Sequence, residues 1–75
     1  MPFDPPSRAA LTAQARRHLP DADFVEVLEM FNEKHPYKLV VRKGTGFPWV
    51  QHFAPSELFL ACKLAATHFE IGVKP

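Results

Sequence analysis

Four histidines (His18, His35, His52, His68) and one cysteine, Cys62, are the side chains in this chain with the widest chemical range. Metal binding is the first chemistry to test on them. The histidines recur at intervals of 16 to 17 residues, which matches no compact ligand pair. Cys62 and His68 share the last apolar segment, where helical spacing sets them about 120° apart. A metal needs ligands that converge at fixed geometry, so no metal site is expected. Nucleophilic chemistry at Cys62 would need a lowered thiol pKa and a nearby base. Its neighbours on the same helical face are Leu58, Ala65 and Phe69, the setting of a small buried hydrophobe. Gly44-Thr45-Gly46 is too short for a phosphate-cradling loop, and no serine elbow or His-Glu helix motif occurs. The expectation is a non-enzymatic protein without cofactor or small-molecule substrate.

Two stretches suggest binding instead. Pro55 to Phe69, PSELFLACKLAATHF, is the longest apolar run, without an internal Pro or Gly. As a helix it turns Leu58, Ala61, Cys62, Ala65 and Phe69 to one face. Leu60 and Leu64 point about 120–200° away and form a narrow second ridge, with Thr67 beside it. Leu60, Leu64 and Thr67 are therefore the candidate partner-binding residues, for another protein or for a homodimer. The second stretch is Arg42-Lys43-Gly44-Thr45-Gly46-Phe47-Pro48-Trp49, which sets cations beside aromatic rings on a turn. Nucleic-acid binders combine cations for phosphates with rings that stack on bases. Lys38, Arg42, Lys43, Phe47 and Trp49 form the alternative, nucleic-acid-binding set. The leading reading is a small protein-protein interaction or regulatory module, such as an inhibitor or accessory protein that occupies a partner's surface.

The elements that position these stretches follow in order. Met1 to Pro6 is an extended lead-in with three prolines. Ser7 can cap a helix from Arg8 to about Leu19, Ala-rich and thinly apolar, which should sit peripherally. Asp23 with Glu26 resembles a capping box. Phe24, Val27, Leu28 and Phe31 then recur at i, i+3, i+4 and i+7, which predicts a second helix ending at His35-Pro36. Glu26, Glu29 and Glu33 would line its opposite face. Tyr37 to Lys43 alternates as a strand, with Tyr37, Leu39 and Val41 on one side. Phe47 to Phe53 reads as the returning strand, an edge or a short one because of Pro48. A hairpin edge can accept another strand. Pro55 suits the first turn of the last helix, and Gly72 its C′ position.

The expected fold is α+β, in the order α-α-β-β-α, with a β-hairpin packed on amphipathic helices. The alternative is a mostly α protein with an irregular loop over 44–54. Seventy-five residues allow one domain, 1–75, with 73–75 a short tail. The expected core is Phe24, Val27, Leu28, Phe31, Leu39, Val41, Leu58, Cys62, Ala65 and Phe69. A 47% hydrophobic composition with seven Phe excludes a disordered chain, and one cysteine excludes an internal disulfide. A net charge of +1 selects no partner in bulk. The start, Met1-Pro2-Phe3-Asp4, lacks signal-peptide features, and no apolar run reaches the roughly 20 residues that span a bilayer. A cytoplasmic protein with no membrane association is expected.

Overall fold

A computed structural model describes residues 7–31 and 34–75. They form two α-helices and a three-stranded antiparallel sheet, an α+β fold. The order is α1 (Arg8–His18), β1 (Phe24–Glu29), β2 (Tyr37–Arg42), β3 (Trp49–Phe53), a 3₁₀ turn (Pro55–Glu57) and α2 (Leu58–Phe69). The sheet runs β1-β2-β3, each strand antiparallel to the next. Both helices pack on the same face of it. No described helix is long and apolar enough to cross a membrane.

The expected second helix is a strand. The i, i+3, i+4, i+7 pattern of Phe24, Val27, Leu28 and Phe31 overlaps a period-two pattern, in which Val25 and Val27 point inward. Two β-branched residues and a partner strand with matching alternation decide for the sheet. Val25 faces Val41, and Val27 faces Leu39. Phe24 and Phe31 are therefore exposed, and Leu28 is half-buried. Glu26 and Glu29 fall on opposite faces of the strand, so the acidic helix face does not form; Glu33, like the lead-in 1–6, lies outside the described residues. Asp23 caps no helix. Its carboxylate accepts the Gly44 N–H at 2.6 Å and lies 3.8 Å from Lys43 Nζ, tying the start of β1 to the β2–β3 turn. Gly44 takes φ +75°, which suits a residue without Cβ.

The first helix is not peripheral. Ser7 Oγ accepts the Ala10 N–H at 3.1 Å, the expected cap. Leu11, Ala15 and Leu19, thin as that stripe is, are fully buried against β1 and α2. The rest of the core is Val25, Val27, Tyr37, Leu39, Val41 and Phe53 from the sheet, with Leu58, Ala61, Cys62, Ala65 and Ala66 from α2. Phe69 is only half-buried. The segment 49–53 is a strand, so the mostly α alternative with an irregular 44–54 loop falls. Left-handed geometry at the end of α2 sits on Glu70 (φ 55°), not Gly72. Reversing there returns Ile71 to the core, and the Ile71 N–H bonds Ala66 O at 3.0 Å. The tail is tied back to α1, with the Lys74 N–H on His18 O at 2.8 Å.

Leu39→Ala should cost about 3 kcal/mol in urea denaturation, as a fully buried leucine does, and Phe31→Ala less than about 0.5 kcal/mol. Equal losses would restore Phe31 to the core and β1 to a helix.

Candidate functional site

A three-stranded sheet has two edges, and this chain treats them differently. Met30 N–H donates to Pro36 O, which sets the phase of the β1–β2 ladder and turns the backbone polar groups of Val25 and Val27 to the outer edge of β1. α1 lies along that edge. Thr12 Oγ accepts the Val27 N–H at 3.0 Å, and Arg16 Nε donates to Val25 O at 3.1 Å. Arg8 reaches Glu26 at 3.5 Å. Side chains one turn apart on a helix can do this because they repeat at nearly the spacing of alternate strand residues. β1 is closed to strand pairing.

β3 is open. Its register with β2 pairs Tyr37 with Phe53, Leu39 with Gln51 and Val41 with Trp49. The alternation turns the N–H and C=O of Val50 and His52 outward. Among the described residues, the one bond on this edge is Gln51 Nε2 to His52 O at 3.1 Å, from the adjacent residue. The strand Trp49-Val50-Gln51-His52-Phe53 carries no Asp, Glu, Lys or Arg. It thus lacks the charge that commonly guards a free edge. Pro48 and Pro55 bracket it.

Leu60 and Leu64 stand directly beside this edge. They are 53% and 45% exposed, and with Ala61 of α2, Gln51, His52 and Phe53 of β3, and the polar side chains His35 and Glu57, they line an open groove of about 70 Å³. α1 does not cover them. It contacts the other flank of α2, where the His18 ring meets Phe59 edge-on at 4.9 Å, and Leu60 and Leu64 lie about 100–140° round the helix from Phe59. Thr67 is exposed, and its hydroxyl donates to Lys63 O at 3.0 Å. Val50 and His52 were missed as site residues in the sequence. Their signal was the uncharged strand between two prolines.

The nucleic-acid set is divided. Lys38 and Arg42 alternate with the inward residues of β2 and share the outer sheet face with Phe24 and Val40. Phe24, Val40, Arg42 and Pro48 line a shallow hollow there. Phe47 is fully exposed on the loop before β3. Trp49 turns to the other face, half-buried with its ring 6.2 Å from that of His68. Lys43 is held near Asp23, whose carboxyl is kept below the usual range by the Gly44 N–H and then by Lys43. Glu26 sits on the outer face between Lys38 and Arg42.

No three His, Cys, Asp or Glu side chains among the described residues are grouped to hold a metal ion. Cys62 is buried, and desolvation pushes its thiol up to about 11. No protein-family model matches the chain, and no curated protein or solved structure matches it.

The raised Cys62 pKa gives a signed prediction. The unfolded thiol ionises near 9.0 and the folded one near 11, so its contribution is intact below pH 9 and is lost as pH rises from 9 toward 11. Stability should fall across that window, by on the order of 1 kcal/mol per pH unit from this group. In Cys62→Ala the fall should be shallower, read by urea denaturation at each pH; an identical slope would place the thiol in water.

Proposed function

We propose that this protein is a non-enzymatic interaction module that takes up another polypeptide along β3. The observation that carries the reading is the contiguity of an uncharged open edge with the exposed Leu60/Leu64 ridge and the groove between them. In strand addition, backbone hydrogen bonds supply affinity and a side chain entering a pocket supplies specificity. β3 offers the first through Val50 and His52, and the groove offers the second. A module of this kind regulates or inhibits by occupying surface rather than by chemistry. A lone free thiol suits the reducing cytoplasm.

Affinity capture from the native host with nuclease treatment tests the reading. The wild-type chain should retain a protein that resists nuclease, and Leu60→Glu with Leu64→Glu should lose it while keeping the wild-type circular dichroism melt. Exposed positions tolerate charge, so the fold should survive. Material that nuclease removes and the double variant retains would move the function to Lys38 and Arg42 on the outer sheet face, with binding that weakens steeply as salt rises.

A further inference from the structure

The geometry points to a second copy of this chain as the polypeptide that occupies the β3 edge, in an antiparallel β3–β3 pairing with the two-fold axis at Gln51. This rests on the reading of β3 as a binding edge and names its occupant.

Register comes first. The outward polar groups are those of Val50 and His52, so a paired copy must meet them with its own Val50 or His52. Centring the axis on Gln51 sets Val50 against His52 of the second copy, and His52 against its Val50. Each of these pairs exchanges both backbone bonds. Moving the axis to Val50 or to His52 leaves only one self-pair among them and pushes Pro48 or Ala54 into the ladder. Pro48 has no N–H to give. The Gln51 register is thus the one that satisfies every outward group of the strand, and the prolines at 48 and 55 bound it at both ends.

Side chains agree with this register. On the helix-bearing face it sets Trp49 against Phe53 of the second copy and Gln51 against its own counterpart. On the outer face Val50, 44% exposed, meets His52. No Asp, Glu, Lys or Arg is opposed, because β3 has none. β1, with Glu26 and Glu29, and β2, with Lys38 and Arg42, would not be neutral in this way. The bond from Gln51 to His52 O is between adjacent residues, and an incoming N–H replaces or shares it.

The helices agree as well. A two-fold axis beside β3 brings α2 toward α2, and the residues on that flank are Leu60 and Leu64, with Glu57 at its end, where the carboxylate accepts the Ala54 N–H at 2.8 Å. A two-fold contact must be self-complementary, and an apolar ridge meeting itself is. A stable dimer buries about 800 Å² per partner, roughly 15% of the 5257 Å² surface here. The β3 edge and the ridge together form one side of the molecule, with the strand about 17 Å long.

Sedimentation equilibrium with disulfide trapping tests this. The wild-type chain should be a dimer at micromolar concentration. Val50→Pro removes an outward N–H that the intrachain ladder does not use, and should give a folded monomer. Gln51→Cys should form an intermolecular disulfide on mild oxidation, since facing residues at a non-hydrogen-bonded pair lie within disulfide reach. Phe47→Cys, exposed but off the strand, should not, and Cys62 is buried. A folded wild-type monomer at these concentrations overturns the second-copy inference and leaves β3 as the edge for a foreign chain. So does a dimer that survives Val50→Pro and gives no Gln51→Cys crosslink. Unfolding of the Leu60→Glu, Leu64→Glu chain would instead defeat the binding-edge reading itself, because the ridge would then be core.

Discussion

The bond from the Val27 N–H to Thr12 Oγ, with Arg16 on Val25 O beside it, sets the character of the whole molecule. Each is worth about 1 kcal/mol net, a modest sum. Their larger effect is on topology. They commit α1 to the β1 side of the sheet, where Leu11, Ala15 and Leu19 are consumed by the core. Among the described residues α2 is then left to cover β2 and β3, and its outward flank has no helix to lie against. An asymmetric fold results, closed along β1 and open along β3.

The same asymmetry explains the distribution of charge and exposed apolar surface. Within the sheet, the Lys, Arg and Glu side chains lie on β1, β2 and the turn that follows, where Asp23 gathers Gly44 and Lys43. β3 has none. Of the exposed large hydrophobics, Val50, Leu60 and Leu64 lie on or beside the open edge, while Phe24 belongs to the outer sheet face and Phe31 to the β1–β2 connection. Scattered apolar residues on a surface mean little, but a contiguous set along a free strand edge is what the proposed pairing rests on.

The α+β class, α1 with its Ser7 cap, the two strands after Pro36 and α2 were legible in the sequence because each carries a local signal. A capping hydroxyl, an alternating β-branched run and a long apolar helix need no tertiary knowledge. Phe24 to Phe31 was misread because its apolar residues satisfy two periods at once, and only the presence of β2 as a partner selects one. The burial of α1 was illegible for a related reason. Three apolar residues look thin until β1 is a strand that needs its edge covered. Leu60 and Leu64 could be placed off the core face by helical phase alone. That the uncovered edge of β3 runs beside them depends on the strand order, which no local pattern contains. Glu70 shows the limit at a single residue. Gly72 had the better intrinsic preference for a left-handed cap, but returning Ile71 to the core fixed the reversal two residues earlier.

Amide hydrogen exchange, read residue by residue as a function of protein concentration, tests the central claim most directly. The Val27 amide, bonded to Thr12 within one chain, should be protected equally at every concentration. The Val50 and His52 amides should be slow at high concentration and should accelerate together on dilution, as a β3–β3 ladder separates. Exchange of both at unprotected rates at all concentrations, with Val27 still protected, would contradict pairing of the chain with itself along β3.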